Sequence, residues 1–122
     1  MKQLFLLVTI VLTFGAVNAQ IADVKVTAGA ARVYHEGNDY PTYSLTIDHG
    51  CQLAGFNTKY VIISCSGSVR IYKDKEYNAS YSFYLDRNCY VKNVTASAIL
   101  IQAPGGTRYY DFKGNYIKST SD

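Results

Sequence analysis

Cys51, Cys65 and Cys89 are the residues of this chain best suited to covalent chemistry. An odd number of thiols in an oxidising compartment closes at most one bridge within the chain and leaves one over. The three cysteines and the two histidines, His35 and His49, show no CxxC or HxxxH spacing, so the sequence forms no metal set. Acid–base chemistry would have to use His35, Glu36, His49 and a cation such as Arg70, the residue types with which a small secreted ribonuclease cleaves a phosphodiester. His35 and Glu36 are adjacent, so on a strand they point to opposite faces, and nothing in the spacing brings His49 to either. Both histidines precede loops, where a solvated histidine needs no further explanation. Gly105-Gly106 is a turn rather than a phosphate loop, because no helical pattern follows it. The chain therefore reads as non-enzymatic, without catalytic, cofactor-binding or metal residues.

The elements that must position these side chains are strands. The sequence has 12 Tyr, 5 Phe and no Trp, and an aromatic, β-branched composition favours pleated, half-buried surfaces. The organising stretch is Tyr60 to Lys73, YVIISCSGSVRIYK, where Val61, Ile63 and Cys65 share one face and a Gly67 turn leads to Val69 and Ile71. Tyr43, Leu45 and Ile47 alternate with polar residues, as do Tyr81, Phe83 and Leu85. Shorter strands are expected from Asp23 (Val24 and Val26 inward), at Arg32 to His35, after Cys89, at Ala96 to Gln102 and at Arg108 to Phe112. The segment from Cys51 to Lys59 reads as a loop around Gly55. No internal repeat is apparent. About eight short strands without a helical period predict a two-layer sandwich or a small barrel, and the sandwich is preferred: an immunoglobulin-like antiparallel β-sandwich with one intrachain disulfide. Leu45, Ile47, Val61, Ile63, Tyr81, Phe83, Leu85, Ile99 and Ile101 are its expected core. A sandwich domain over residues 20–118 would end in a frayed polar tail over 119–122.

In that topology the Tyr43 strand is the second, Tyr60 to Ser66 the third, and Cys89 opens the sixth, so the third and sixth are antiparallel neighbours. This pairs Cys65 with Cys89. Cys51 is then left as an intermolecular thiol for a second chain, giving a disulfide-linked homodimer, with a buried free thiol as the alternative. Asn78-Ala79-Ser80 and Asn93-Val94-Thr95 are N-glycosylation acceptors at strand borders. Tyr84, Tyr90, Tyr109, Tyr110 and Tyr116 cannot all face inward, and exposed tyrosines suit a binding surface.

Compartment is read from the N-terminus. One cation, Lys2, precedes an apolar run from Leu4 to Phe14 and the small-residue border Val17-Asn18-Ala19, the pattern of a signal peptide over residues 1–19 cut before Gln20. No later apolar run has spanning length, so no membrane span is expected once the signal is removed. The formal charge of +3 is dispersed rather than clustered, which is no nucleic-acid footprint. The expected chain is secreted, passing through the ER lumen.

The signal peptide, the size, and the hairpin Asn57-Thr58-Lys59-Tyr60, apolar run, Cys65, Gly67 turn and Val69-Arg70-Ile71-Tyr72 together resemble the immunoglobulin-like accessory proteins of coronaviruses. In that family the cysteine matching Cys65 pairs with one further upstream, which here would favour Cys51–Cys65. The resemblance implies a secreted or ER-lumenal viral glycoprotein that binds a host extracellular or lumenal protein to modulate immunity. The alternatives are a small disulfide-stapled effector of another pathogen and a small secreted ribonuclease.

Overall fold

The computed structural model describes residues 19–122, so the signal peptide expected over 1–19 lies almost wholly outside it. Eleven strands and no helix make up the described residues. They form three antiparallel meanders, each using consecutive strands: β1 (Ile21–Thr27), β2 (Ala30–His35) and β3 (Tyr43–Thr46); then β4 (Cys51–Phe56), β5 (Tyr60–Cys65), β6 (Ser68–Lys73) and β7 (Tyr81–Tyr84); then β8 (Tyr90–Val94), β9 (Ile99–Ala103), β10 (Gly106–Tyr110) and β11 (Tyr116–Ser121). Connections stay within a sheet until it is complete. The expected two-layer arrangement is therefore replaced by three layers. The expected loop from Cys51 is in fact strand β4, and the tail expected to fray is paired with β10 as β11.

The meanders repeat. Gly29, Gly67 and Gly105 make the tight turns of β1–β2, β5–β6 and β9–β10 with φ of 78°, 78° and 87°, a left-handed geometry that suits glycine. The spacing is the 38 residues that also separate Asn57 from Thr95, whose side chains open equivalent turns, and the Asn57 side-chain amide donates to the Thr95 backbone carbonyl across the sheets at 3.1 Å. In register with these glycines stand Arg32, Arg70 and Arg108, then Tyr34, Tyr72 and Tyr110, and the pairs Asp48/Asp86 and Cys51/Cys89. The same ion pair recurs between sheets: Arg70 Nη1 lies 3.2 Å from Asp48, and Arg108 Nη1 lies 2.8 Å from Asp86. The expectation of no repeat is thus overturned. Its identities are too few and too scattered to stand out, while its turn geometry is conserved from sheet to sheet.

Two cores lie between the three layers, and β5 serves both. Val61 and Ile63 face the first sheet with Ile21, Val24, Ala31, Val33 and Leu45. Ile62 faces the third sheet with Val69, Ile71, Ile99 and Ile101. Rings reinforce the second junction, Tyr60 stacking on Phe112 at 4.6 Å and Phe83 on Tyr110 at 4.1 Å. Of the expected core, Ile47, Phe83 and Leu85 are only partly buried. Tyr81 is 39% exposed, because β7 is the outer edge of its sheet.

The outer faces are polar. Where β5 presents Val61 and Ile63, and β9 presents Ile99 and Ile101, β1 presents Asp23 and Lys25, with the Lys25 amine 5.0 Å from the Tyr34 ring. On the far sheet, Gln102 and Thr107 stand where β5 and β6 have Ser64 and Val69, and Lys118 covers Tyr109 at 4.8 Å. Polar outer faces are what the end repeats of a stack require for solubility.

The bridge is Cys51–Cys65, across the β4–β5 pair, and not Cys65–Cys89. Cys65 shares the face of Val61 and Ile63, toward the first sheet, whereas Cys89 packs into the core between the second and third. The two thus pack against different cores, although both line one cavity at the end of the second sheet. Cys51 is consequently not the spare thiol; Cys89 is, and it is half-buried. The register Tyr90↔Gln102 puts Cys89 opposite Ala103, the position that Cys65 occupies in the preceding repeat. The variant Ala103→Cys is accordingly expected to lose its free thiol in a thiol titration and to gain about 3 kcal/mol, while Cys51→Ala loses about as much.

Candidate functional site

The densest polar cluster joins the first two sheets at the β2 end. His35 closes β2 and is only 3% exposed, a correction to the solvated histidine expected before a loop. Its Nε2 lies 2.8 Å from both carboxylate oxygens of Asp74, at the loop following β6. Its Nδ1 bonds the Thr42 hydroxyl, which lies 3.2 Å from the Val33 carbonyl. The Tyr43 hydroxyl donates to Asp74 at 2.9 Å and accepts the Lys75 N–H at 2.8 Å. Burial holds the Tyr43 phenol well above its ordinary pKa; the Lys75 N–H opposes the shift, and the Asp74 carboxylate adds to it.

A hydroxyl, an imidazole and a carboxylate in line are the parts of an acid–base relay, and here the three also tie the first sheet to the second. Both ring nitrogens of His35 are bonded, and no buried side-chain polar atom among the described residues lacks a partner. Glu36 is exposed beside it, His49 is exposed on the turn after β3, and Arg70 is paired with Asp48. The four residues considered for phosphodiester cleavage therefore do not converge. Among the described residues, no three His, Cys, Asp or Glu side chains are placed to hold a metal ion.

The surface features gather around Tyr77, which sequence reasoning did not single out. It is 67% exposed and meets the Tyr43 ring edge-on at 5.7 Å. On one side is a cleft of about 280 Å³ lined by His35, Asn38, Thr42, Tyr43 and Lys75. On the other is a groove of about 390 Å³ between the outer edges of the first two sheets, lined by Ser44, Asp48, Arg70, Tyr72 and Asn78. The first two sheets meet along β1 and β4, and the groove lies between β3 and β6. At the other junction the second and third sheets approach closely along β4 and β8, where a Cβ on Gly55 would lie 2.6 Å from Val94 Cγ2. Of the tyrosines expected at a surface, Tyr84, Tyr90 and Tyr116 are exposed, while Tyr109 and Tyr110 are half-buried. Asn78 and Asn93 are both exposed, Asn78 on the groove itself and Asn93 on β8. The signal for Tyr77 was available: it is an aromatic in the middle of a polar loop, where packing does not require one.

No protein-family model matches the chain, and no curated protein matches its sequence. Among solved structures it is similar to a protein of unknown function from Bacteroides caccae, with a TM-score of 0.54 over 84% of this chain at 7% identity. The match covers 40% of that protein, so this chain spans well under half of its length. The likeness is one of fold alone. Among the described residues no helix is long and apolar enough to cross a membrane.

The raised Tyr43 pKa has a pH signature. The stabilisation it reports is complete below the unfolded value of about 10 and is lost as pH rises beyond it, because the unfolded phenol ionises first. Tyr43→Phe is expected to cost about 1–2 kcal/mol at neutral pH. In chemical denaturation measured from pH 8 to 11, the variant is also expected to show a shallower alkaline loss of stability than the wild type.

Proposed function

We propose that the chain is a secreted, glycosylated, non-enzymatic binding module whose partner is a host extracellular or ER-lumenal protein seated on the Tyr77 rim. One observation carries this reading. A largely exposed tyrosine stands between two clefts on a rigid scaffold, offering apolar area, a hydroxyl and little rotamer entropy to lose, while Lys75 and Arg70 on either side supply charge. Secretion is supported by the leader-like N-terminus and by a disulfide between strands, a bond that persists in oxidising compartments. Glycosylation is supported by the exposure of Asn78 and Asn93 in acceptor triplets. The host-directed, immune-modulating role of a viral accessory protein rests on the resemblance carried by Asn57 to Tyr72, as does the immunoglobulin-like reading of the fold.

Tyr77→Ser is the informative variant, because the side chain is exposed and its loss leaves both cores intact. Protein recovered from the medium of secreting cells is expected to capture a host protein that Tyr77→Ser loses and Tyr84→Ser retains, and to shift in mass on enzymatic deglycosylation. Identical capture by both variants would remove the rim from the proposal. RNA cleavage that is abolished by His35→Ala or His49→Ala, with the fold intact, would replace binding by catalysis.

A further inference from the structure

The junctions between sheets repeat, and one place in the repeat is filled at the second junction and open at the first. At the second, Phe83 stacks on Tyr110, and Tyr116, opposite Tyr110 on β11, sets its ring edge-on against it at 5.9 Å. Leu45 and Tyr72 stand 38 residues before Phe83 and Tyr110 and are buried. The segment beside Tyr72 supplies Ala79 rather than an aromatic, and Tyr77 turns to meet Tyr43. Among the described residues no aromatic ring pairs with Tyr72 as Tyr116 does with Tyr110, and the groove of about 390 Å³ is what remains. The second junction thus gives the shape of a fitting occupant, a single ring set against Tyr72.

The walls set the chemistry of that ring. Arg70 and Asp48 hold each other at 3.2 Å, and both reach solvent. The pair spends one guanidinium N–H and one carboxylate oxygen, so Arg70 keeps donors and Asp48 keeps an acceptor side by side. Ser44 and Asn78 add a hydroxyl and an amide. The two charges cancel, which favours a neutral ligand over an anion or a cation. A donor beside an acceptor matches neighbouring hydroxyl groups, since a hydroxyl both donates and accepts. An aromatic side chain of a partner would fit the shape but would strip water from these groups without replacing its hydrogen bonds. A neutral ring edged with hydroxyls is a sugar.

We propose that the groove is a carbohydrate site, which takes one sugar ring of a glycan carried by the binding partner. The proposal rests on the reading of the Tyr77 rim as the contact surface and names what that surface grips. The ring's hydroxyls bond Arg70, Asp48 and Ser44, its C–H groups rest on Tyr72 and Ala79, and the exposed Tyr77 flanks the glycan at the mouth. The extracellular and ER-lumenal compartments assigned to the partner are those in which proteins carry glycans. Asn78 is itself an acceptor on the margin of the groove, so the chain's own glycan is the rival source of the same chemistry.

The full chain is produced in a secreting host, as wild type and as Asn78→Gln, and methyl glycosides of glucose, galactose, mannose, fucose and N-acetylglucosamine are titrated against each while backbone amide shifts are followed. At least one saccharide is expected to give saturable shifts confined to residues 44–48, 70–72 and 77–80 in both proteins. Ala79→Tyr, which supplies the ring found at the second junction, and Asp48→Asn, which keeps the shape of the wall, are each expected to weaken that binding by about tenfold or more. Shifts from none of the saccharides, or binding that both variants leave unchanged, would overturn the proposal. Binding by Asn78→Gln that the glycosylated wild type lacks would overturn it as well, because the groove would then hold the chain's own glycan. Capture of a host protein that Tyr77→Ser loses but that survives enzymatic removal of the host protein's glycans would keep the rim and overturn the groove. Saccharide binding without such capture would keep the sugar site and remove the rim.

Discussion

Burial of β5 on both faces is the constraint on which the rest depends. A strand covered on one side alternates apolar with polar residues, whereas Val61, Ile62 and Ile63 form an unbroken apolar run with essentially no exposure. A run of this kind needs a layer on each side, and the first and third sheets supply them. Each isoleucine is worth about 2–5 kcal/mol on truncation to alanine. The disulfide, the ring stacks and the ion pairs act on a stack whose order this strand has already set.

The polar interactions differ between the two junctions in a way that bears on function. Arg70–Asp48 and Arg108–Asp86 repeat from one junction to the next and are largely solvent-exposed, so they align the sheets with little energy of their own. The His35–Asp74–Tyr43 cluster occurs only at the first junction, while the corresponding region of the second is held by the stacking of Tyr60 on Phe112. The first junction is thus the one built from buried hydrogen bonds, and it is also where Tyr77, Lys75 and the two clefts meet. A hydrogen-bonded floor fixes the Tyr43 ring, and Tyr43 in turn supports Tyr77 from the side.

The strands were legible in the sequence wherever side chains alternate or β-branched residues run together, as at Tyr43 to Thr46 and Tyr60 to Lys73. β4 was not, because close contact with β8 selects Ala54 and Gly55, residues that read as loop when taken alone. The layer order was hidden for a related reason. Taken alone, the apolar run of β5 reads as one face of a hairpin, and the 38-residue period that reveals the stack survives in only a few residue types. Burial of His35 depends on Asp74, 39 residues further on, and no local pattern announces such a partner. The disulfide is hidden with β4: only once Cys51 opens a strand paired with β5 does it stand opposite Cys65.

The central claim, that one strand feeds two separate cores, is tested most directly by methyl–methyl NOEs in the purified protein. The account predicts that Ile63 shows cross-peaks to Val33 and Leu45, that Ile62 shows them to Ile99 and Ile101, and that neither residue shows the other's set. Cross-peaks from Ile62 and Ile63 to one common group of methyls, or a solvent-exposed Ile62, would contradict it.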